Sequence, residues 1–292
     1  MKKLITYIII FYSMYSYSQD IQFISLEDTF KHPLEISSAT IYKKNLIIAS
    51  EKCGKLFTIN PYSGKTIKVE DIPKIKNREI EGLSIFEDYY FFTDEKGNRS
   101  KIIIVNKKTG NRLKIKYTTK FKFPKTLNNN NGLEGIEIDV KTKIIFVVTE
   151  GKHMNFSQLF RIKIKHIEND IAHLELLDIS KIKKHPDYRY TGLTFNNLGD
   201  LLLLKSKYEE YFVDQIKKSQ LYQTSKSTIT PEQLSIKISD SVNSKSEEFG
   251  TNLEGIAYLD KYLVFVSDNK NSEYCNINGK KVKKTILMKK KL

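Results

Sequence analysis

Hydrophobic and polar positions along this chain repeat one grammar five times. The units read "ISSATIYKKNLIIASEKCGKLFTIN" from Ile36, "IEGLSIFEDYYFFTDEKGNRSKIIIVN" from Ile80, "LEGIEIDVKTKIIFVVTEGKHMNFSQLFRIK" from Leu133, "YTGLTFNNLGDLLLLKSKYEEYFVD" from Tyr190 and "LEGIAYLDKYLVFVSDNK" from Leu253. Each opens on a small or acidic pair and continues as a short alternating strand. A polar turn follows, such as residues 197–200. A denser apolar strand comes next, such as 144–148, whose unbroken run predicts burial on both faces. That strand ends in a Ser/Thr-plus-acid step: Ser50-Glu51, Thr93-Asp94, Thr149-Glu150, Ser267-Asp268. A third strand follows a loop, at 56–59 or 102–105, and a weaker fourth is visible in "KTIKVEDI" from Lys65.

The opening positions fall at 37, 81, 134, 191 and 254. Four-stranded antiparallel units at roughly 40–60-residue spacing predict an all-β fold, a β-propeller. Five blades are expected, with six as the alternative if the stretch 215–250 hides another. Residues after Glu254 supply only three strands. The segment "DIQFISLEDTF" from Asp20 is therefore expected to add the outer strand of the last blade and close the ring.

In a propeller the second strand runs back antiparallel to the first. The residue that opens strand one and the residue that ends strand two thus meet on one face. Two rings follow: Ser37, Glu81, Glu134, Thr191 and Glu254 at the openings, and Glu51, Asp94, Glu150, Ser206 and Asp268 at the closings. The glycine after four of the five opening residues allows backbones to crowd near the axis. So many carboxylates at one channel mouth need a counter-charge. A calcium or magnesium ion held by Glu81, Glu134, Glu254, Asp94, Glu150 and Asp268 is one solution. Lysines such as Lys52, Lys96, Lys152 and Lys205 are another. Individual acids also have a purely local use, accepting hydrogen bonds from backbone amides and capping turns.

Composition changes this picture at three points. Lys2, Lys3, the apolar run 4–12 and the small-x-small step Ser16-Tyr17-Ser18 read as a signal peptide over 1–18, with residues 19–292 as one propeller domain in the periplasm or outside the cell. No later apolar run is long enough for a membrane helix. The net charge of +15 suggests nucleic acid, but only 5 of the 49 basic residues are arginine, the preferred reader of phosphates and bases, and the lysines are dispersed. Nucleic acid is therefore not the expected partner. Finally, Cys53 and Cys275 follow the second strands of the first and last units, which touch in a closed ring. A disulfide there would staple the closure; two separate thiols are the alternative.

Other constellations are sparse. His153, just after Glu150, is a candidate base or ligand as well as an ordinary solvated loop residue. His32, His166, His173 and His185 show no spacing with acids of the zinc-binding kind. Tyr188-Arg189-Tyr190 either packs at the start of blade four or contacts an anionic or sugar ligand. No Gly-x-Ser-x-Gly elbow, His-Glu-x-x-His helix or P-loop is present.

The succession "EISSATIY", "IEGLSIF", "GLEGIEID", "YTGLTF" and "LEGIAYL" resembles the SdiA-regulated propeller family, a branch of the phytase-like propellers. Members carry Ser-Gly openings in blades one and four and Glu-Gly in two, three and five. Here Ser37-Ser38 and Thr191-Gly192 are small replacements for Ser-Gly. The resemblance runs from about residue 34 onward and implies an exported five-bladed propeller that binds calcium. The Asp-rich motifs of propeller phytases have no counterpart here. Lactonases of the gluconolactonase kind also open a strand with Glu-Gly and bind a metal with it. The expected function is thus a monomeric binding module for a small molecule or protein at a metal-bearing channel mouth. A metal-dependent hydrolase of phosphoesters or lactones is the alternative, with Glu81, Glu134 and Glu254 holding the ion.

Overall fold

In the computed structural model, the described residues are 21–26, 36–50, 54–95, 100–123, 132–207, 210–223, 227–236, 238–239, 252–268 and 286–292. They form five antiparallel sheets in a ring. The segment 1–18, Glu51, Lys52, Cys53, Lys96 and Cys275 lie outside the described residues, as does the side chain of Asp268.

The chain starts with β1 (Ile21–Ser25), which joins the ring last. Blade one contains β2 (Ile36–Tyr42), β3 (Asn45–Ser50), β4 (Lys55–Ile59) and β5 (Thr66–Asp71) in sequence order. Blade two contains β6 (Ile80–Phe86), β7 (Tyr89–Asp94) and β8 (Lys101–Asn106). Its next segment, β9 (Lys114–Tyr117), leaves for the neighbouring blade. Blade three contains β10 (Leu133–Asp139), β11 (Ile144–Thr149) and two 13-residue strands, β12 (Phe156–Glu168) and β13 (Ile171–Lys183). Blade four is β14 (Arg189–Phe195), β15 (Leu201–Lys207) and β16 (Glu210–Ile216). After it come β17 (Thr228–Ile229), which pairs with β13, and β18 (Glu232–Leu234), which completes blade four. Blade five is β19 (Asn252–Leu259), β20 (Tyr262–Asp268) and β21 (Ile286–Lys291), and β1 pairs with β21 as its outer strand. The ring is therefore closed by the N-terminal strand, as the missing fourth strand of the last unit predicts.

The inner strands pack around the axis in order: β2 on β6, β6 on β10, β10 on β14, β14 on β19, and β19 back on β2. Apolar contact between blades is equally regular. Leu46 and Ile48 pack with Val264 and Val266 of blade five, whereas Ile47 and Ala49, on the other face of the same strand, pack with Leu83 and Phe92 of blade two. Period-two alternation places every second side chain in each neighbouring interface. This is why the second strands are apolar throughout rather than alternating.

Every inner strand carries a register shift where it opens: at Ile36/Ser38, Ile80/Gly82, Leu133/Ile136, Tyr190/Gly192 and Leu253/Gly255. Each shift leaves the opening residue (Ser37, Glu81, Glu134, Thr191 or Glu254) out of the ladder. A bulge bends the strand and re-aims the side chain. The following glycine lies against the next blade: a Cβ on Gly82 would stand 2.4 Å from the Glu134 carbonyl oxygen, one on Gly135 2.8 Å from Leu193 N, and one on Gly192 2.9 Å from the Glu254 carbonyl oxygen. Three hydroxyls tie the same seams. Ser37 donates to the Ile80 carbonyl. Thr93 donates to the Glu134 carbonyl at 2.6 Å and Thr191 to the Leu253 carbonyl at 3.4 Å.

Gly82→Ala is expected to lower unfolding free energy by about 1–3 kcal/mol, because the contacted atom is backbone and cannot swing away. Gly110→Ala meets nothing within 4 Å but has a φ of +68°, so it reports the cost of positive φ alone. A Gly82→Ala urea midpoint equal to the parent's would show that crowding at the axis carries no cost.

Candidate functional site

The axis is narrow. A cavity of about 10 Å³ on it is lined by the four glycines, by Ala39, Leu83, Ile136, Leu193 and Ile256, one from each inner strand, and by Ser37, Glu81 and Glu254. That is room for about one water. The bulged residues and the second-strand ends face one mouth. Register places the ends beside the openings: Ile80 opposite Asp94, Leu133 opposite Thr149, and Asn252 opposite Asp268. The pairing of acids along the sequence is thus a pairing in space.

The mouth is organised by an arginine. Arg189, at the start of β14, places Nη1 3.1 Å from Glu150 Oε1 and Nη2 3.5 Å from Glu254 Oε1. It also donates to Asn252 Oδ1 and to Ser206 Oγ, both at 3.3 Å. Burial alone would lower its pKa, but the carboxylates of Glu254, Glu134 and Glu150 more than offset that and hold it charged. Asn252 Nδ2 donates to Glu254 Oε1. Asp94 forms a separate arrangement, fully buried between Arg78 at 3.5 Å and Lys101 at 3.2 Å.

The remaining carboxylates are less well compensated. Burial pushes Glu134 well above the usual carboxylate range. Glu150 and Glu95 push it further, and Arg189 opposes them. Glu150 is also raised, by burial first, with Arg189 pulling it down. Its Oε2 is buried and has no hydrogen-bond partner among the described residues. Glu95 is pushed up to about 7 by burial and then by Glu150, although the Gly132 amide donates to it at 2.6 Å. Beside them Lys184 gathers the loop after Glu150, donating to the carbonyls of Gly151 (2.6 Å), Met154 (2.8 Å) and Tyr188 (2.6 Å). Burial lowers its pKa to about 8.

Of the residues singled out by sequence, Glu134, Glu150 and Glu254 therefore share one electrostatic site, Glu81 lines the axis beneath it, and Asp94 is held by its own two cations. The lysines proposed as counter-charges divide. Lys152 acts on Glu150, whereas Lys205 is buried against Asp214 at 2.7 Å. The role of main counter-ion falls to Arg189, from the "YRY" step; its neighbour Tyr190 instead packs inward, donating to Asp214 at 2.6 Å. Sequence reasoning missed Glu95. It falls one residue after the Thr-Asp step, so the repeat grammar passes over it. His153 stands exposed in the loop with its backbone at a φ of 61°.

The sequence profile of the SdiA-regulated family matches residues 61–208, and the chain belongs to that family. No curated protein matches the sequence. Among solved structures, the glutaminyl cyclase of Myxococcus xanthus is similar over 93% of this chain and 95% of its own at 10% identity, with a TM-score of 0.52. The PQQ-bound aldose sugar dehydrogenase of Streptomyces coelicolor covers 92% and 98% at 9% identity, TM-score 0.49. The calcium-binding protein regucalcin of Agrobacterium tumefaciens covers 91% and 94% at 9% identity, TM-score 0.45. At such identities the likeness is one of fold. Among the described residues no helix is long and apolar enough to cross a membrane.

Removing the arginine tests the electrostatic reading. Arg189→Met should cost about 2 kcal/mol at pH 8, because the buried Glu150 and the partly buried Glu254 lose a partly exposed partner. Much of that loss should return at pH 5, because burial already raises Glu150 and removing the arginine raises it further. Urea unfolding at both pH values checks it, and an equal loss at each would mean that Arg189 acts through packing alone.

Proposed function

We propose that this chain is an exported binding propeller whose acid-rich mouth takes up calcium and, with it, a small-molecule or protein ligand. The observation that carries this reading is the buried Glu150 Oε2, without a hydrogen-bond partner among the described residues and set among carboxylates that favour protonation in the absence of further positive charge. An oxygen-rich, under-neutralised site suits a hard cation. Glu134, Glu150 and Glu95 would turn onto the ion, with Glu254 beside Arg189 at its edge and Glu81 on the axis beneath. The ion would supply positive charge and open positions for an anionic or carbonyl-bearing ligand.

A second reading rests on Glu95. A carboxylate pushed up to about 7 beside a candidate metal site has the pKa of a general base near neutral pH. On that reading the protein is a metal-dependent hydrolase of phosphoesters or lactones, with Glu95 deprotonating the attacking water.

The sign of the pH dependence separates calcium from no calcium. The folded pKa of Glu95, about 7, exceeds its ordinary 4.5. Its contribution to stability is therefore complete below pH 4.5 and lost as pH rises through 7. Melting temperature in chelator should fall across that window. Calcium needs the ionised carboxylates, so its stabilisation should grow across the same window and flatten the profile. Glu134→Gln with Glu150→Gln should abolish the calcium response. A wild-type melting curve indifferent to millimolar calcium at pH 8 would sink the proposal, and phosphoester and lactone panels run with the loaded protein would decide between binder and hydrolase.

A further inference from the structure

Blade three differs from the others. Its β12–β13 hairpin is 13 residues on each strand, and beyond the blade it recruits β9 of the preceding blade as a parallel partner. The turn at Asn169-Asp170 is fixed, with both residues at positive φ (49° and 58°), and the Lys114 amide donates to the Asp170 carbonyl at 2.9 Å. One face of the tip, carrying Ile167, Ala172 and Leu174, packs on the core. The opposite face carries His166 and His173 directly across the ladder from each other, and Glu168 two residues along from His166. The imidazoles stack with centroids 4.2 Å apart, and His166 Nε2 lies 3.3 Å from Glu168 Oε1. One ligating atom from each of the three lies within 4.8 Å of the others.

We propose that His166, His173 and Glu168 form a binding site for a borderline divalent transition metal, zinc being the tested case. Two imidazoles and one carboxylate are the donor set that such ions prefer over calcium or magnesium, and three protein ligands leave a position for water. The spacing of these histidines with acids along the chain does not suggest zinc; the two-residue turn and the cross-strand register create the site. His166 and Glu168 are exposed and His173 is half-buried, so the side chains can rotate the small distance needed to converge. The neighbouring charges leave the donors available. Lys165 is engaged with Glu175 at 3.0 Å. Lys116, opposite His173 in the register, is exposed and long enough to swing into solvent. Bound metal would tie the ends of β12 and β13 together where the hairpin holds β9, the contact that joins blades two and three outside the axis.

The experiment is isothermal titration of zinc chloride into the full chain at pH 7.5 with millimolar calcium present, repeated with His166→Ala/His173→Ala, Glu168→Gln and Glu134→Gln. The expected result is one saturable zinc site that calcium does not displace. The double histidine variant should weaken it at least about tenfold, Glu168→Gln should weaken it less, and Glu134→Gln should leave it unchanged. Cobalt substitution should give the visible absorption of a histidine-ligated ion, lost in the double variant. Because all three side chains lie on the outward face of the hairpin, the variants should melt like the parent without metal. No saturable zinc binding, or binding that survives the double histidine substitution, would overturn the proposal. Loss of the zinc site with the calcium response of the axial mouth intact would separate this site from that one.

Discussion

Around the axis, five inner strands approach so closely that backbone meets backbone. Four of the five opening steps put glycine at the contact, where an added Cβ on Gly82 would meet the neighbouring carbonyl at 2.4 Å. This closeness requires a bulge in each strand, because a regular ladder would carry the opening side chain into the seam. The bulge in turn releases Ser37, Glu81, Glu134, Thr191 and Glu254 from pairing. Where the released residue is a hydroxyl, it turns sideways and bonds the next blade, as Ser37 and Thr191 do. Where it is glutamate, the carboxylate is left at the mouth. Packing at the axis and chemistry at the mouth thus have one cause.

Burial at the mouth then decides the electrostatics. Carboxylates brought together at low solvent access favour protonation unless positive charge arrives. A single arginine spans the mouth from blade four to Glu150 of blade three and Glu254 of blade five. Asp94, by contrast, has two cations of its own. The partial neutralisation is uneven. Among the described residues Glu150 is satisfied on one oxygen and not on the other. That imbalance leaves negative charge at the mouth incompletely offset.

The ring is not five copies of one unit. Blade five borrows its outer strand from the chain start, which makes closure a long-range contact whose entropy must be met by packing across the blade-five and blade-one seam, where Leu26, Ile36 and Leu287 are fully buried. Blade three extends beyond the ring and takes β9 from the blade before it and β17 from the chain after blade four. These three exchanges of strands bind neighbouring blades by backbone hydrogen bonds as well as by side-chain contact.

Much of this was legible in the sequence. Period-two alternation, unbroken apolar second strands and recurrent Glu-Gly openings determine a propeller, its five blades and the pairing of openings with closings, because each is a local pattern repeated at a fixed place in the unit. The deficit of one strand after Glu254 likewise announces the closing strand near Ile21. What only the tertiary structure decided are the partners across blades. Arg189 reads locally as part of a packing step, and its reach to Glu150 and Glu254 depends on how blades three, four and five are set around the axis. Glu95 lies one residue outside the repeat and gains its elevated pKa from burial and from Glu150, 55 positions away in the sequence. His166 and His173 carry no spacing signal until a tight turn sets them face to face. Sequence patterns encode which face of a strand is buried; charge, pKa and ligand geometry depend on distances between strands that the chain brings together only by closing the ring.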